Sequence, residues 1–166
     1  MINQNAISLP AGDSLFNFRV AGIAVLNGKL LLHKTAEDHF WSLPGGRCDM
    51  FEFSKETLQR EMVEETGQEV EVQKMAWIVE NFFEYRGIRH HEIGFYYRMR
   101  FTGLTHQDDF VFQDGDNTLL YRWIPVSEVD YVPVYPEIIK SVHILNELDF
   151  KHFTIGLQNL GDPHFG

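Results

Sequence analysis

Three glutamates, Glu61, Glu64 and Glu65, stand at positions i, i+3 and i+4 of the chain. On a helix this spacing places all three carboxylates on one face, where like charges repel each other by about 0.2–0.5 kcal/mol per pair. Such a cluster favours a compensating cation, and oxygen ligands suit a hard one such as Mg²⁺, Mn²⁺ or Ca²⁺. A solvated helix face is the simpler alternative, and the flanking residues bear on the choice.

The flanking residues predict a helix with a loop in front of it. Ser54 suits the N-cap position, and Leu58 and Met62 recur at i and i+4 as a buried stripe. Gly67 stands where a left-handed C-cap residue is expected. Ahead of the helix, Pro44-Gly45-Gly46 opens a loop, because paired glycines reach backbone angles that are closed to other residues. Carbonyl and N–H groups of such a loop can turn toward a metal ion or a phosphate.

The spacing of the whole stretch resembles the signature of the Nudix, or MutT-like, hydrolases. In the pattern G-x5-E-x7-R-E-M-x-E-E-x-G, the matching positions are Gly46, Glu52, Arg60, Glu61, Glu64, Glu65 and Gly67. The lead into the loop, with Trp41, Pro44, Gly45 and Gly46, also fits the W-x-x-P-G-G of that family. Gln68 departs from it, because the family usually has an aliphatic residue there, and the departure concerns local packing more than chemistry.

The resemblance implies hydrolysis of a phosphoanhydride with Mg²⁺ as the cofactor, or alternatively Mn²⁺. By position, the implied metal ligands are the carboxylates of Glu61, Glu64 and Glu65 and the carbonyl of Gly45. Arg60 and Glu52 would orient those ligands. A bound Mg²⁺ neutralises charge on the reacting phosphoryl group, orients the diphosphate and lowers the pKa of a bound water.

The general base is left open between a signature glutamate and an acid from later in the chain. Glu92, at the head of a predicted strand, is the first later candidate, and Asp116 is the second. Adjacent His90 and His91 do not suit one zinc ion, because neighbouring residues in a strand face opposite sides.

Candidate substrate-binding residues surround that predicted strand and the start of the signature. They are Phe82, Tyr85, His91 and Trp41, and the ring of Phe82, Phe83 or Tyr85 can stack a base. The substrate expected from the resemblance is a nucleoside diphosphate linked to another moiety. A nucleotide sugar such as ADP-ribose, a dinucleotide and a nucleoside triphosphate remain alternatives. A nucleotide- or metabolite-binding module without turnover, and a structural Ca²⁺ domain, are the competing functions.

Composition sets further bounds. A chain of 166 residues with 44% hydrophobic and 23% charged residues fits one globular domain. The net charge of -10 argues against binding a nucleic-acid polymer, which relies on Lys and Arg. The single cysteine, Cys48, suits a reducing compartment, and no targeting or membrane segment is recognised, so the expected location is the cytoplasm. The resemblance leaves a homodimer open.

The order of elements predicts a mixed α/β fold, and the resemblance implies a single-domain α/β/α sandwich with a mixed β-sheet. The expected division is an N-terminal segment over 1–14, the Nudix domain over 15–158 and a tail over 159–166. Asn27-Gly28 and Arg86-Gly87 are expected to be hairpin turns. Predicted strands cover about 17–26, 29–34, 69–79, 77–85, 89–101, 118–124 and 151–155, with a helical turn at 127–129 and a last helix over 137–148.

Overall fold

The computed structural model describes residues 5–103, 108–144 and 150–160. Within these ranges the strands are β1 (Ser8–Ala11), β2 (Ser14–Ile23), β3 (Val25–Leu26), β4 (Lys29–Thr35), β5 (Gly45–Arg47), β6 (Val70–Tyr85), β7 (Ile88–Phe101), β8 (Phe110–Asp114), β9 (Asn117–Pro125) and β10 (Lys151–Asn159). Helix α1 covers Ser54–Thr66, and two 3-10 segments cover Val126–Tyr131 and Glu137–Ile144.

The strands form two sheets. The larger sheet has the order β1-β2-β7-β6-β10, with β5 paired to β2, and the smaller one has the order β3-β4-β9-β8. In the larger sheet β2 is parallel to β7 and β10 is parallel to β6, whereas β6 and β7 are antiparallel. The predicted mixed α/β fold with a mixed sheet is therefore confirmed.

Two hydrophobic cores lie on opposite faces of the strands. Val20 packs in the same core as Leu58 and Met62 of α1, while its neighbour Ala21 packs with Ile139 of the second 3-10 segment. Consecutive strand residues point to opposite faces, so this alternation separates the two cores. Helix α1 thus covers one face, and the 3-10 segments cover the other.

Several predicted local features are confirmed. Asn27 and Gly28 both have positive φ angles, 51° and 74°, and join β3 to β4 in a hairpin. Arg86 and Gly87 do the same between β6 and β7. Gly67, with a φ of 69°, ends α1, and its N–H donates to the carbonyl of Val63 at 2.9 Å.

The prediction for the start of α1 is wrong by one residue. Phe53 occupies the N-cap position, and its N–H donates to the Glu56 carboxylate at 3.1 Å. Ser54 lies inside the helix, where its hydroxyl shares a hydrogen bond of 2.7 Å with the hydroxyl of Tyr97. At the other end, the side-chain carbonyl of Gln68 is buried with no hydrogen-bond partner in the described part of the chain.

Other elements differ from the expectations in extent or type. The predicted helix over 137–148 is a 3-10 segment over Glu137–Ile144, and residues 145–148 lie outside the described residues. Strands β1, β5 and β8 were not predicted, and β6 is one strand of 16 residues rather than two. Strand β10 extends beyond the predicted edge strand, to Asn159. Among the described residues, no helix is long and apolar enough to cross a bilayer.

Candidate active site

Arg60 on α1 joins three of the signature carboxylates. Its Nε and Nη2 donate to the two oxygens of Glu52 at 2.9 and 3.0 Å. Its Nη1 donates to Glu61 at 2.8 Å and to Glu64 at 3.3 Å. This forked hydrogen bonding lowers the pKa of the Glu52 carboxyl to about 2, with the side-chain hydrogen bond from Arg60 as the main cause. Glu52 also accepts a hydrogen bond from Thr57, so the Arg60–Glu52 pair ties the loop to the helix.

The two glycines of the loop are each needed for a different structural reason. A Cβ at Gly46 would lie 2.4 Å from both carboxylate oxygens of Glu61, so only glycine leaves room for that carboxylate. A Cβ at Gly45, whose φ is 149°, would lie 2.1 Å from the carbonyl oxygen of Val20. Gly45 therefore allows β5 to approach β2, and Gly46 seats the Glu61 carboxylate against the loop backbone.

The Gly45 carbonyl is not used by the β2–β5 ladder. Gly22 donates to the carbonyl of Pro44 at 2.8 Å, and Cys48 donates to the carbonyl of Phe18 at 2.9 Å. Hydrogen-bonded and non-hydrogen-bonded pairs alternate in an antiparallel ladder, so the intervening pair Ala21–Gly45 is of the non-hydrogen-bonded kind. The carbonyl of Gly45 consequently points away from β2, as its predicted role as a metal ligand requires.

The three helix glutamates differ in their surroundings. The side chains of Glu61 and Glu65 are 16% and 15% exposed, and that of Glu64 is 58% exposed. Burial raises the pKa of the Glu61 carboxyl, and the hydrogen bond from Arg60 opposes this. Glu65 accepts a hydrogen bond from the hydroxyl of Tyr121 on β9, and its carboxylate lies 3.9 Å from Nδ1 of His33 on β4.

The donor chemistry of this face fits a hard divalent cation. Its ligating groups are carboxylate oxygens, and burial makes the ionised form of Glu61 costly without a nearby positive charge. Arg60 supplies part of that charge by bridging Glu61 and Glu64. Within the described residues, however, no three His, Cys, Asp or Glu side chains already stand in a metal-binding arrangement. Glu61, Glu64 and Glu65, with the Gly45 carbonyl, are the groups that would hold the ion.

A cavity of about 250 Å³ lies beside these carboxylates. Arg47 lines it and follows directly after Gly46, and the Arg47 carbonyl accepts a hydrogen bond from Arg60 at 3.4 Å. His33, which is 3.9 Å from Glu65, lines it as well. Burial, followed by the charge of Arg19, lowers the pKa of His33 to about 3, so this imidazole is neutral near pH 7.

Glu92 is a buried acid of the cavity wall. It is 8% exposed, and burial raises the pKa of its carboxyl, while the charges of Arg19 and Arg47 act in the opposite direction. Asp116 is exposed in the turn between β8 and β9 and does not line the cavity. Of the two later acids considered as general base, the structure brings Glu92 to the cavity.

The predicted substrate-binding residues of β6 and β7 do not all lie on the face of these strands that meets the cavity. Tyr85 lines the cavity, together with Phe83. Phe82 is 43% exposed on the opposite face of β6, where its ring packs against His91 with centroids 4.6 Å apart, so neither of these two reaches the cavity.

Trp41 is likewise absent from the cavity wall. It is 8% exposed in the core that faces the 3-10 segments, with the charged groups of Lys34 and Arg122 over its ring. The geometry therefore supports Tyr85, and not Phe82, His91 or Trp41, as a group that can meet a ligand in this cavity.

Several cavity residues were not found from the sequence. The polar ones include Asn17, Arg19, His33 and Arg47, and the aromatic ones include Phe40, Tyr96 and Tyr135. The rings contact each other, as Phe40 and Phe83 both lie edge-on to Tyr135. One signal was available, because Arg19 is a charged residue inside an otherwise largely apolar strand.

Comparison with known proteins now identifies the family. Residues 17–142 match the family model of the NUDIX domain. The chain belongs to the NUDIX family. The resemblance seen in the signature is thereby confirmed, and the match spans the strands, the loop and the helix that position the carboxylates.

A relative and two solved structures illustrate the similarity. A MutT-like protein from Streptomyces ambofaciens is 37% identical over 79 residues, which is 47% of this chain and 49% of that protein, so the match spans about half the length of that relative. An ADP-ribose pyrophosphatase from Streptococcus suis superposes with a TM-score of 0.59 at 20% identity, covering 83% of this chain and 98% of the other. A MutT protein from Bacillus halodurans gives 0.60 at 22% identity, covering 90% and 93%. At these identities the two structures show the shared fold.

Proposed function

We propose that the chain is a divalent-metal-dependent pyrophosphohydrolase, which cleaves a phosphoanhydride bond in a nucleoside diphosphate linked to another moiety. The observation that carries this proposal is the position of the Glu61 carboxylate. Its carboxylate fits against Gly46, shares Arg60 with Glu52 and Glu64, and stands beside a cavity large enough for part of a nucleotide. A solvated helix face would require neither that glycine nor that arginine.

In this proposal, different side chains of the protein have different roles in hydrolysis. Glu61, Glu64 and Glu65 would hold Mg²⁺ or Mn²⁺, which when bound neutralises phosphoryl charge and acidifies water. Arg60, anchored by Glu52, orients Glu61 and Glu64.

Glu92 is the proposed general base. Its carboxylate accepts a proton from the attacking water as the water oxygen bonds to phosphorus, and the bond from phosphorus to the bridging oxygen breaks, leaving two phosphate-bearing products. A buried carboxylate with a raised pKa holds that proton more readily than an exposed one.

The substrate is proposed only as a class. Structural neighbours include an ADP-ribose pyrophosphatase and a MutT protein, and this favours small nucleotide substrates. The aromatic residues of the cavity wall, Phe40, Tyr85 and Tyr135, offer surfaces on which a base can stack. The net charge of -10 remains an argument against a nucleic-acid polymer as the substrate.

The test is product release from nucleotide sugars, dinucleotides and nucleoside triphosphates, with and without Mg²⁺. We expect metal-dependent cleavage of one class, and its loss in Glu64→Gln and in Glu65→Gln. Glu128→Gln, at an exposed position of the first 3-10 segment, is the matched control and should keep wild-type rates. Full activity in both signature variants would refute the assignment. Nucleotide binding without turnover under any divalent metal would favour a binding module instead.

A further inference from the structure

Two arginines of the cavity wall lack the carboxylate partner that other arginines of the described chain possess. Arg60, Arg86, Arg89, Arg100 and Arg122 each bond to a carboxylate. Arg19 instead donates one hydrogen bond, from Nη2 to the carbonyl of Leu43 at 3.0 Å. The guanidinium of Arg47 has neither a hydrogen bond nor an ion pair within the ranges that the structure covers. Most of their N–H donors are thus available to a ligand.

The strand pairing forces these two arginines together. Arg19 on β2 stands directly opposite Arg47 on β5. The backbone hydrogen bonds at the two ends of this ladder, together with the alternation of antiparallel pairs, make Arg19–Arg47 a non-hydrogen-bonded pair. In such a pair the two side chains on the same face stand closer to each other than in a hydrogen-bonded pair. Like charges directly opposite each other in a ladder are destabilising, so an anion near both would relieve a repulsion that the fold otherwise retains.

The local charge balance points the same way. Glu92 is the acid of the cavity wall whose pKa both arginines lower, and the other acid of the wall, Asp38, accepts a hydrogen bond from the hydroxyl of Tyr85. The wall carries three basic side chains, Arg19, Lys34 and Arg47, against these two acids, in a chain whose net charge is -10. It also lies close to the helix carboxylates, because Arg19 influences the pKa of Glu61 and the Arg47 carbonyl bonds to Arg60.

We propose that Arg19 and Arg47 form a phosphate subsite, which binds one phosphoryl group of the substrate without the help of a metal ion. The planar guanidinium donates in a fork that matches phosphate oxygens. One phosphoryl group would bind to the arginines and another would approach the metal held by the glutamates. This inference rests on the proposed function in that it names how the same cavity holds a substrate with at least two linked phosphoryl groups.

The test is the binding of inorganic pyrophosphate in the presence of EDTA, measured by titration calorimetry on the full chain. The wild type should bind, and Arg19→Gln and Arg47→Gln should each weaken the binding by about 10- to 100-fold, the usual effect of losing a charge-assisted hydrogen bond. Arg19→Lys keeps the charge without the forked donor geometry, so its affinity for pyrophosphate should lie between those of the wild type and Arg19→Gln. Arg100→Gln removes an equal charge at an exposed site and should bind as the wild type does. Glu92→Gln should tighten binding, because it removes the negative charge that competes with phosphate.

The outcomes separate this subsite from the proposed function. Wild-type affinity in both Arg19→Gln and Arg47→Gln, or no metal-free binding in a wild type that hydrolyses nucleotides with Mg²⁺, would overturn the subsite and leave the hydrolase assignment in place. Arginine-dependent pyrophosphate binding in a chain that cleaves no nucleotide would support the subsite and count against the hydrolase. Because Arg47 is exposed, its variant tests the proposal even if Arg19→Gln folds poorly.

Discussion

Gly46→Ala is the change whose effect can be worked out most directly from the geometry. The new Cβ would lie 2.2 Å from Cδ of Glu61, whereas ordinary contact begins at 3.4 Å. The Glu61 carboxylate must therefore move by more than 1 Å, because the loop backbone is held by the β2–β5 ladder. A misplacement of about 1 Å can cost roughly 100-fold in rate even when no reacting group is removed. We expect kcat/KM to fall by about that factor or more.

The assay pairs steady-state hydrolysis with thermal unfolding. Gly46 does not have the positive φ angle that makes alanine strained, so we expect Gly46→Ala to stay folded and lose activity. Gly156→Ala is the matched control, since a Cβ there meets nothing within 4 Å, and it should keep wild-type activity. Wild-type kcat/KM in a folded Gly46→Ala would refute the reasoning, because Glu61 would then not need its seat on the loop.

Two further predictions concern acids whose pKa values the structure shifts. The Glu52 carboxyl has a pKa of about 2 in the folded protein, against an ordinary value of 4.5. Its ionised form therefore stabilises the fold fully above pH 4.5, and this contribution is lost as the pH falls through 2. Denaturant unfolding should show Glu52→Gln to be less stable than the wild type by about 1–3 kcal/mol at pH 7, with the difference shrinking toward pH 2, and a pH-independent difference would contradict this. Burial raises the pKa of Glu92, and a base works when deprotonated, so kcat should fall as the pH drops through a value above 4.5. Glu92→Gln should lower kcat by about 10²- to 10⁴-fold and abolish that acidic limb, whereas an unchanged pH profile would rule Glu92 out as the base.

The signature residues were predictable because their chemistry is local. A helix needs only its own sequence to place Glu61, Glu64 and Glu65 on one face and to bury Leu58 and Met62 on the face next to it. Even there, the cap was misplaced by one residue, because the Ser54 hydroxyl bonds to Tyr97 rather than to the helix N-terminus.

Which residues line the cavity depends on strand register, and the register could not be predicted from the sequence. The choice between Phe82 and Phe83 turns on which face of β6 meets the cavity, and a shift of one residue would exchange them. The pairing of Arg19 with Arg47 joins β2 to β5, a strand of three residues within what the sequence predicted to be a loop. The last predicted helix was recognised by its apolar spacing, yet packing gave a 3-10 segment over the described part, Glu137–Ile144.

The central claim is that water attacks phosphorus at a phosphoanhydride under the control of these glutamates. The most direct measurement is ³¹P NMR of the products formed from the cleaved substrate in ¹⁸O-labelled water with Mg²⁺, for the wild type beside Glu64→Gln. The account predicts two phosphate-bearing products, one of which carries ¹⁸O on phosphorus, and no product from Glu64→Gln. Products without ¹⁸O on phosphorus, or labelled products at the wild-type rate from the variant, would contradict it.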